Sequence, residues 1–217
     1  MTITYDCTEA TGREVGLSSA AGALRAGRLV VTPTDTLYGI AADAFDPDAV
    51  NLLLSAKRRG PDMPVPVLVG SWETIDGLVV STPASARDLI RAFWPGGLSL
   101  IVHQAPSLGW NLGHTQGTVM LRMPLHPVAI ELLREVGPLA VSSANVSGQP
   151  PATTVAQARD QLGESVAVYL DGGPCSIGEP STIVDLTGPA PRIVREGAVT
   201  AERVGEVLGV DAASLRG

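Results

Sequence analysis

Lys57 and Arg59 stand two residues apart in "AKRRG" (56–60), directly after a run whose apolar residues recur at helical spacing. A helix C-terminus accepts cations through its dipole alone, so one reading of this cluster is purely structural. Against it, Gly60, Pro61 and Pro64 fix a tight turn before the next apolar run, which holds the cations near a sheet edge. If the backbone is extended there, both side chains face one pocket, as a polyanion such as a nucleoside triphosphate requires. "SSANVSGQP" (142–150) adds three hydroxyls and an amide after the apolar "PLAV". Such residues make ordinary turns, and the same hydroxyl, amide and exposed N–H groups also grip phosphate or carboxylate oxygens. "TPTDTLYG" (32–39) and "STIVD" (181–185) bring further hydroxyls to the mouths of strands. Asp35 has two readings, a turn aspartate bonded to its own backbone or a group that sits near a metal or orients Lys57.

Several chemistries are excluded. Neither GxxxxGK[ST] nor GxGxxG occurs, so any nucleotide site is of neither the P-loop nor the dinucleotide type. His103, His114 and His126 lack the i, i+4 pairing of a helical metal site and read as surface or turn histidines. Without a Gly-x-Ser-x-Gly elbow, a triad hydrolase is not indicated.

The elements that position these stretches alternate between helix and strand. Glu14 to Ala26 reads as a helix stopped by Gly27, and "RLVVT" as a strand leading into "TPTDTLYG". Asp46 caps a helix with Pro47 in its first turn and Val50, Leu53 and Leu54 on its buried side. "VPVLV" (65–69) is the next strand, with Pro66 placing it at an edge or marking its end. Thr82 and Pro83 open a helix to Phe93. "LSLIVH" and "TVMLRM" are strands, "HPVAIELLREV" a helix, and "PLAVSS" a strand. Thr154 with Gln157 starts a helix to Leu162, followed by strands in "VAVYLD", "STIVDL" and "RIVRE" and a helix from Thr200 to Leu208.

The 217 residues and their 45% hydrophobic content suffice for one large domain. Only 4% are aromatic, whereas Gly and Pro number 24 and 17, which favours a Val/Leu/Ile/Ala core in a mixed α/β fold over a helical bundle. A formal charge of −7 argues against broad nonspecific nucleic-acid binding, which needs surplus cations. Two distant cysteines, Cys7 and Cys175, suggest neither a zinc cluster nor a disulfide framework and point to a reducing cytoplasm. No signal pattern and no membrane-length apolar run is present, so a soluble cytoplasmic protein without a membrane partner is expected.

Together "TPTDTLYGIAADAF", "AKRRGPDMPVPVLV", "TVMLRMPLHP", "LAVSSANVSGQPPATT" and "STIVDLTGPAPRIVREGAV" resemble, in order and spacing from Val30 to Ala198, the motifs of the YrdC family of threonylcarbamoyl-AMP synthases. The resemblance implies an α/β fold, a YrdC-like twisted mixed sheet with flanking helices around a concave ligand pocket. It implies a catalytic domain over residues 10–209 and a short tail over 210–217, as in the single-domain type of the family. It also implies a nucleotidyltransferase reaction in which L-threonine, bicarbonate and ATP give L-threonylcarbamoyladenylate and pyrophosphate. A separate complex would pass the product to tRNA, next to the anticodon, so direct tRNA binding is not required.

By the same similarity, Lys57 and Arg59 are the expected catalytic groups. With Met63, Thr118, Ser143, Asn145 and Arg195 they would bind ATP. Thr36, Tyr38, Arg122, Val141 and Ser181 would surround threonine. Mg²⁺ would arrive with ATP, with no protein ligand assigned. The chain departs from many relatives in having Leu68 where they carry a histidine. The competing readings are a nucleotide- or RNA-binding module and a paralogue of the same fold with another substrate. The carbamoyltransferases of hydrogenase maturation share the domain but add a Cys-rich region that this chain lacks.

Overall fold

Ten short strands form one mixed sheet in the computed structural model, which describes residues 2–216. They are β1 (Ile3–Asp6), β2 (Val30–Thr32), β3 (Gly39–Asp43), β4 (Val67–Leu68), β5 (Leu98–His103), β6 (Thr118–Arg122), β7 (Leu139–Ser143), β8 (Val168–Asp171), β9 (Thr182–Asp185) and β10 (Arg192–Arg195). Their order is β1-β8-β2-β3-β7-β4-β6-β5-β9-β10, and the handedness of the strands twists the sheet. The helices are α1 (Ala10–Arg25), α2 (Pro47–Ala56), α3 (Ala84–Phe93), α4 (Pro127–Val136), α5 (Val155–Leu162), α6 (Ala201–Leu208) and α7 (Ala212–Leu215).

The period of two along each strand sorts side chains onto opposite faces, and the register carries that sorting across the sheet. Gly39 lies opposite Ser143, Leu68 opposite Arg122, and Ser99 opposite Ile183. These residues share one face. Their sequence neighbours Ile40, Val67, Leu121, Leu100 and Val184 point the other way, into the main core with Leu53 of α2 and Leu89 of α3. On the first face α1 and α4 cover only one part, where Ala20, Leu24 and Leu132 pack with Ala41, Leu139 and Val168. The rest of that face, from β7 across to β9, is where the polar residues gather.

Local signals set the helix ends. Asp46 Oδ1 accepts from the N–H groups of Asp48 and Ala49 at 3.0 and 3.1 Å, which caps α2 with Pro47 in its first turn. Thr154 Oγ1 accepts from Gln157 N at 3.3 Å, and the Gln157 side chain reaches back to Thr153 N at 2.8 Å.

The structure departs from expectation in four places. Helix α1 starts at Ala10, one turn before Glu14. Strands β1 and β3 carry no strong sequence signal: "GIAAD" is small and Ala-rich, and it becomes a strand because β2 and β7 flank it on both sides. Strand β4 is interior and covers only Val67–Leu68 of the expected 65–69, with Pro66 just before its first residue, the end position; the Pro66 carbonyl accepts from Val141 N at 2.8 Å. Finally, the expected tail contains α7, and Leu215 is 1% exposed in the main core.

Candidate functional site

A cavity of about 370 Å³ opens on the uncovered sheet face. One end is built by the β2–β3 loop and the last residue of β6. Arg122 is 7% exposed, and its guanidinium is held on three sides. Its Nε donates to Gly96 O at 2.9 Å, Nη1 to Thr36 Oγ1 at 2.7 Å and Nη2 to Asp35 Oδ1 at 2.6 Å. Burial pulls the Arg122 pKa down, and the Asp35 carboxylate opposes that shift. Five N–H donors minus three bonds leaves two for a ligand.

Thr36 presents an acceptor to the cavity. The Thr34 hydroxyl donates to Leu37 O at 2.6 Å and accepts from Thr36 N and Leu37 N, each at 3.2 Å, so its 3.1 Å contact with the Thr36 hydroxyl takes no lone pair from Thr36. Thr36 Oγ1 already accepts from Arg122, which leaves one lone pair for a substrate N–H or O–H.

The other end is built by the turn after α2 and the turn after β7. Lys57 is 2% exposed and lies behind the cavity wall. Its ammonium donates to Ser143 O, to Asn145 O at 2.7 Å and to Asn145 Oδ1 at 3.4 Å, while its own carbonyl accepts from Ser147 N at 2.9 Å. Lys57 therefore fastens the "SSANVSG" turn from within. Burial, with the nearby Arg59 second, lowers its pKa to about 8. Arg58 takes a left-handed φ of +52°, the conformation usually given to glycine after a helix, and this reversal sends Arg59 to the cavity while Lys57 stays inside. Arg59 touches Ser142 Oγ at 3.2 Å and Pro64 O at 3.4 Å, two long contacts.

A third wall comes from β5, β9 and β10. Arg195 donates to Ser181 O through Nε at 3.2 Å and Nη2 at 2.8 Å, and the Ser181 hydroxyl bonds Ser99 Oγ at 2.9 Å.

Of the residues expected in the site, Thr36, Tyr38, Arg59, Arg122, Val141, Ser143, Asn145, Ser181 and Arg195 line the cavity together. Three do not. Lys57 sits behind the wall, Met63 is 48% exposed on its loop, and Thr118 shares the strand face of Met120 and Arg122 but lies off the lining, its hydroxyl bonded to Thr115 O at 2.7 Å. Tyr38 is fully buried and its hydroxyl is already engaged, donating to Gly173 O at 2.6 Å and accepting from Gly172 N at 3.1 Å. Leu68 stands in the wall as an apolar surface. Thr34, Ser99 and Ser142 line the cavity without having been singled out. A buried serine inside the apolar run "LSLIVH" was the available signal for Ser99.

No Asp or Glu lines the cavity, and no group of three His, Cys, Asp or Glu side chains suited to a metal ion occurs among the described residues. This donor set of hydroxyls, an amide and arginines does not fit a protein-held Mg²⁺. Asp35 is neither a self-bonded turn residue nor a partner of Lys57; its Oδ1 accepts from Arg122 and from Leu125 N at 2.9 Å. Cys7 and Cys175 are free thiols, and no helix is long and apolar enough to cross a membrane.

A family model named Sua5, YciO and YrdC, described as "Telomere recombination", matches residues 22–197. A relative from Mycobacterium tuberculosis, provisionally named threonylcarbamoyl-AMP synthase, is 68% identical over all 217 residues and the whole of its own length. The threonylcarbamoyl-AMP synthase of Bacillus subtilis is 37% identical over 89% of this chain and 56% of its own. The crystal structure of Pyrococcus abyssi Sua5 complexed with L-threonine superposes with a TM-score of 0.90 at 33% identity, covering 96% of this chain and 61% of that one. The chain thus spans somewhat over half of these two longer relatives. It belongs to the Sua5/YciO/YrdC family, that of the threonylcarbamoyl-AMP synthases.

Proposed function

We propose that this chain is a threonylcarbamoyl-AMP synthase, joining L-threonine, bicarbonate and ATP into L-threonylcarbamoyladenylate with release of pyrophosphate. The observation that carries the reading is the pairing, around one cavity, of an end with two free Arg122 N–H donors and an end with Arg59, Ser143 and Asn145. The first end matches an amino-acid carboxylate held by a guanidinium; the second matches a phosphate chain.

In the reaction the threonine amine adds to the carbon of bicarbonate, and water leaves to give a carbamate. A carbamate oxygen then forms a bond to the α-phosphorus of ATP while the bond from that phosphorus to the pyrophosphate oxygen breaks. An anion attacks a polyanion here, so the barrier is one of charge and alignment. Arg122 would hold the threonine carboxylate, and the Thr36 lone pair would accept from its hydroxyl or amine. Arg59 and Arg195 would supply fixed positive charge at the phosphates. Lys57 would act through the turn that it fastens, keeping Ser143 and Asn145 in place. Mg²⁺ would come bound to ATP. The product would pass to a separate complex that modifies tRNA beside the anticodon, in the cytoplasm.

The test is pyrophosphate release from ATP by the purified chain. The reading requires that release depend on both threonine and bicarbonate. Release that ignores threonine, or RNA binding without any turnover, would overturn it.

A further inference from the structure

We propose that Asp35 is the positioning residue for Arg122, fixing the direction of its two free N–H groups and so setting the affinity for the amino-acid substrate. The inference rests on the reading of Arg122 as the threonine-carboxylate group. Asp35 is 2% exposed and does not line the cavity, so it touches no ligand directly. What its carboxylate contributes to substrate binding passes through Arg122.

Three chain segments far apart in sequence meet at this aspartate. Its Oδ1 takes Arg122 Nη2 at 2.6 Å and Leu125 N at 2.9 Å, which ties the end of β6 to the β2–β3 loop. Its carbonyl takes Ile177 N at 2.9 Å and Ser176 Oγ at 3.3 Å, which ties the same residue to the loop before β9. The carboxylate is thus anchored independently of Arg122. An anchored anion beside a buried guanidinium does two things. It compensates a charge that burial would otherwise penalise, and it selects one orientation of a long, rotamer-rich side chain. Gly96 O and Thr36 Oγ1 fix two other edges of the same planar group, so rotation of Arg122 would break all three bonds at once.

Asp35 Oδ2 has no hydrogen-bond partner among the described residues. Both orienting bonds run through Oδ1, which Asn can reproduce as an amide oxygen without the charge. Asp35→Asn therefore keeps the shape and removes the compensation. Asp35→Glu keeps the charge and moves it by one methylene.

The experiment measures KM for threonine and for ATP, with kcat and melting temperature, in both variants and in Arg122→Ala. Asp35→Glu, which moves the orienting oxygen, is expected to raise the threonine KM by ~10- to 100-fold, the scale of a binding group misplaced by about an ångström. The ATP KM should stay within about 3-fold, because Arg59 and Arg195 make their hydrogen bonds to Ser142, Pro64 and Ser181 and none to Asp35 or Arg122. Asp35→Asn, which keeps both orienting bonds and loses only the charge, should fall between wild type and Asp35→Glu, and it carries the test if Asp35→Glu does not accumulate as folded protein. An unchanged threonine KM in the folded variant, or an equal rise in both KM values alongside a lower melting temperature, would overturn the inference. Arg122→Ala separates the two levels. If it raises the threonine KM and the Asp35 variants do not, only the positioning role fails. If none of the three does, the placement of threonine at Arg122 fails with it.

Discussion

The two ends of the cavity are built on different principles. At the Arg122 end the side chains are fixed in place: the guanidinium makes three bonds of 2.6–2.9 Å within the protein and is 7% exposed. At the Arg59 end the cation is half-buried, and its two contacts are long, 3.2 and 3.4 Å. The first end is a template already in shape for a small, rigid zwitterion. The second holds the Arg59 cation loosely, the arrangement suited to a ligand that brings its own charge. A small substrate offers few contacts, so its site must be ordered in advance; a triphosphate offers many and can order the side chains itself.

The sharpest way to break this comparison is to remove one cation from each end. Arg122→Ala deletes a preorganised donor pair and leaves Asp35 as a buried unpaired anion. Its kcat/KM for threonine should fall by ~10³-fold, with the ATP KM little changed. Arg59→Ala and Arg195→Ala should each lose ~10²-fold, seen in kcat more than in the threonine KM, because their charge is needed where the phosphate charge develops. Steady-state pyrophosphate release with each substrate varied in turn reads both. A loss spread evenly over both substrates in all three variants would erase the distinction between the ends.

Lys57 sharpens the picture on the nucleotide side. Lys57→Ala should also cost ~10²-fold in rate, yet by a different route, since it leaves Asn145 O and Asn145 Oδ1 without their donor at roughly 1–3 kcal/mol for each buried unsatisfied group, while Ser143 O keeps Asn145 N at 2.9 Å. Its melting temperature should therefore drop further than that of Arg59→Ala. Equal thermal stability of the two variants would mean that the turn does not depend on Lys57. On the amino-acid side the matching perturbation is steric. A Cβ on Gly97 would come within 2.6 Å of Ala198 Cβ, and a backbone shift relieving that clash would act on Thr36 Cγ2, 3.4 Å from the same point, so Gly97→Ala should raise the threonine KM by about 10-fold.

How much of this was legible in the sequence follows the same division. The nucleotide end is made of contiguous stretches, "KRR" and "SSAN", whose composition announces cations and neutral donors, and Arg59, Ser143 and Asn145 were readable there. That Lys57 turns inward was not readable, because it depends on the left-handed backbone of Arg58, a residue type that rarely adopts that conformation. The amino-acid end is made by residues 87 positions apart, Asp35 and Arg122, and no local pattern links them. The fold shows the same contrast. Capped helices such as α2 and α5 announce their own ends, whereas β3 is a strand only because β2 and β7 lie beside it. Tertiary pairing overrode a local preference of small residues for helix or turn.

The last effect, read in stability and not in rate, concerns the charge on Lys57 itself. Burial holds its pKa at about 8 in the folded protein against an ordinary value of 10.5. Below pH 8 the amine is protonated in both states, and the folded protein carries the full cost of the buried charge. Between pH 8 and 10.5 the unfolded chain binds more protons than the folded one, so this group makes stability rise with pH across that window. The rise is bounded by about 1.4 kcal/mol per pH unit. It is absent in Lys57→Met, which has nothing to titrate. Urea unfolding of the two proteins at pH 7.5, 9 and 10 should therefore show the wild type gaining on the variant as pH increases. A constant difference would mean that the carbonyls of Ser143 and Asn145 hold the amine protonated throughout. Lys57 would then be a permanent cation behind the phosphate end, and that end would be as firmly preset as the one around Arg122.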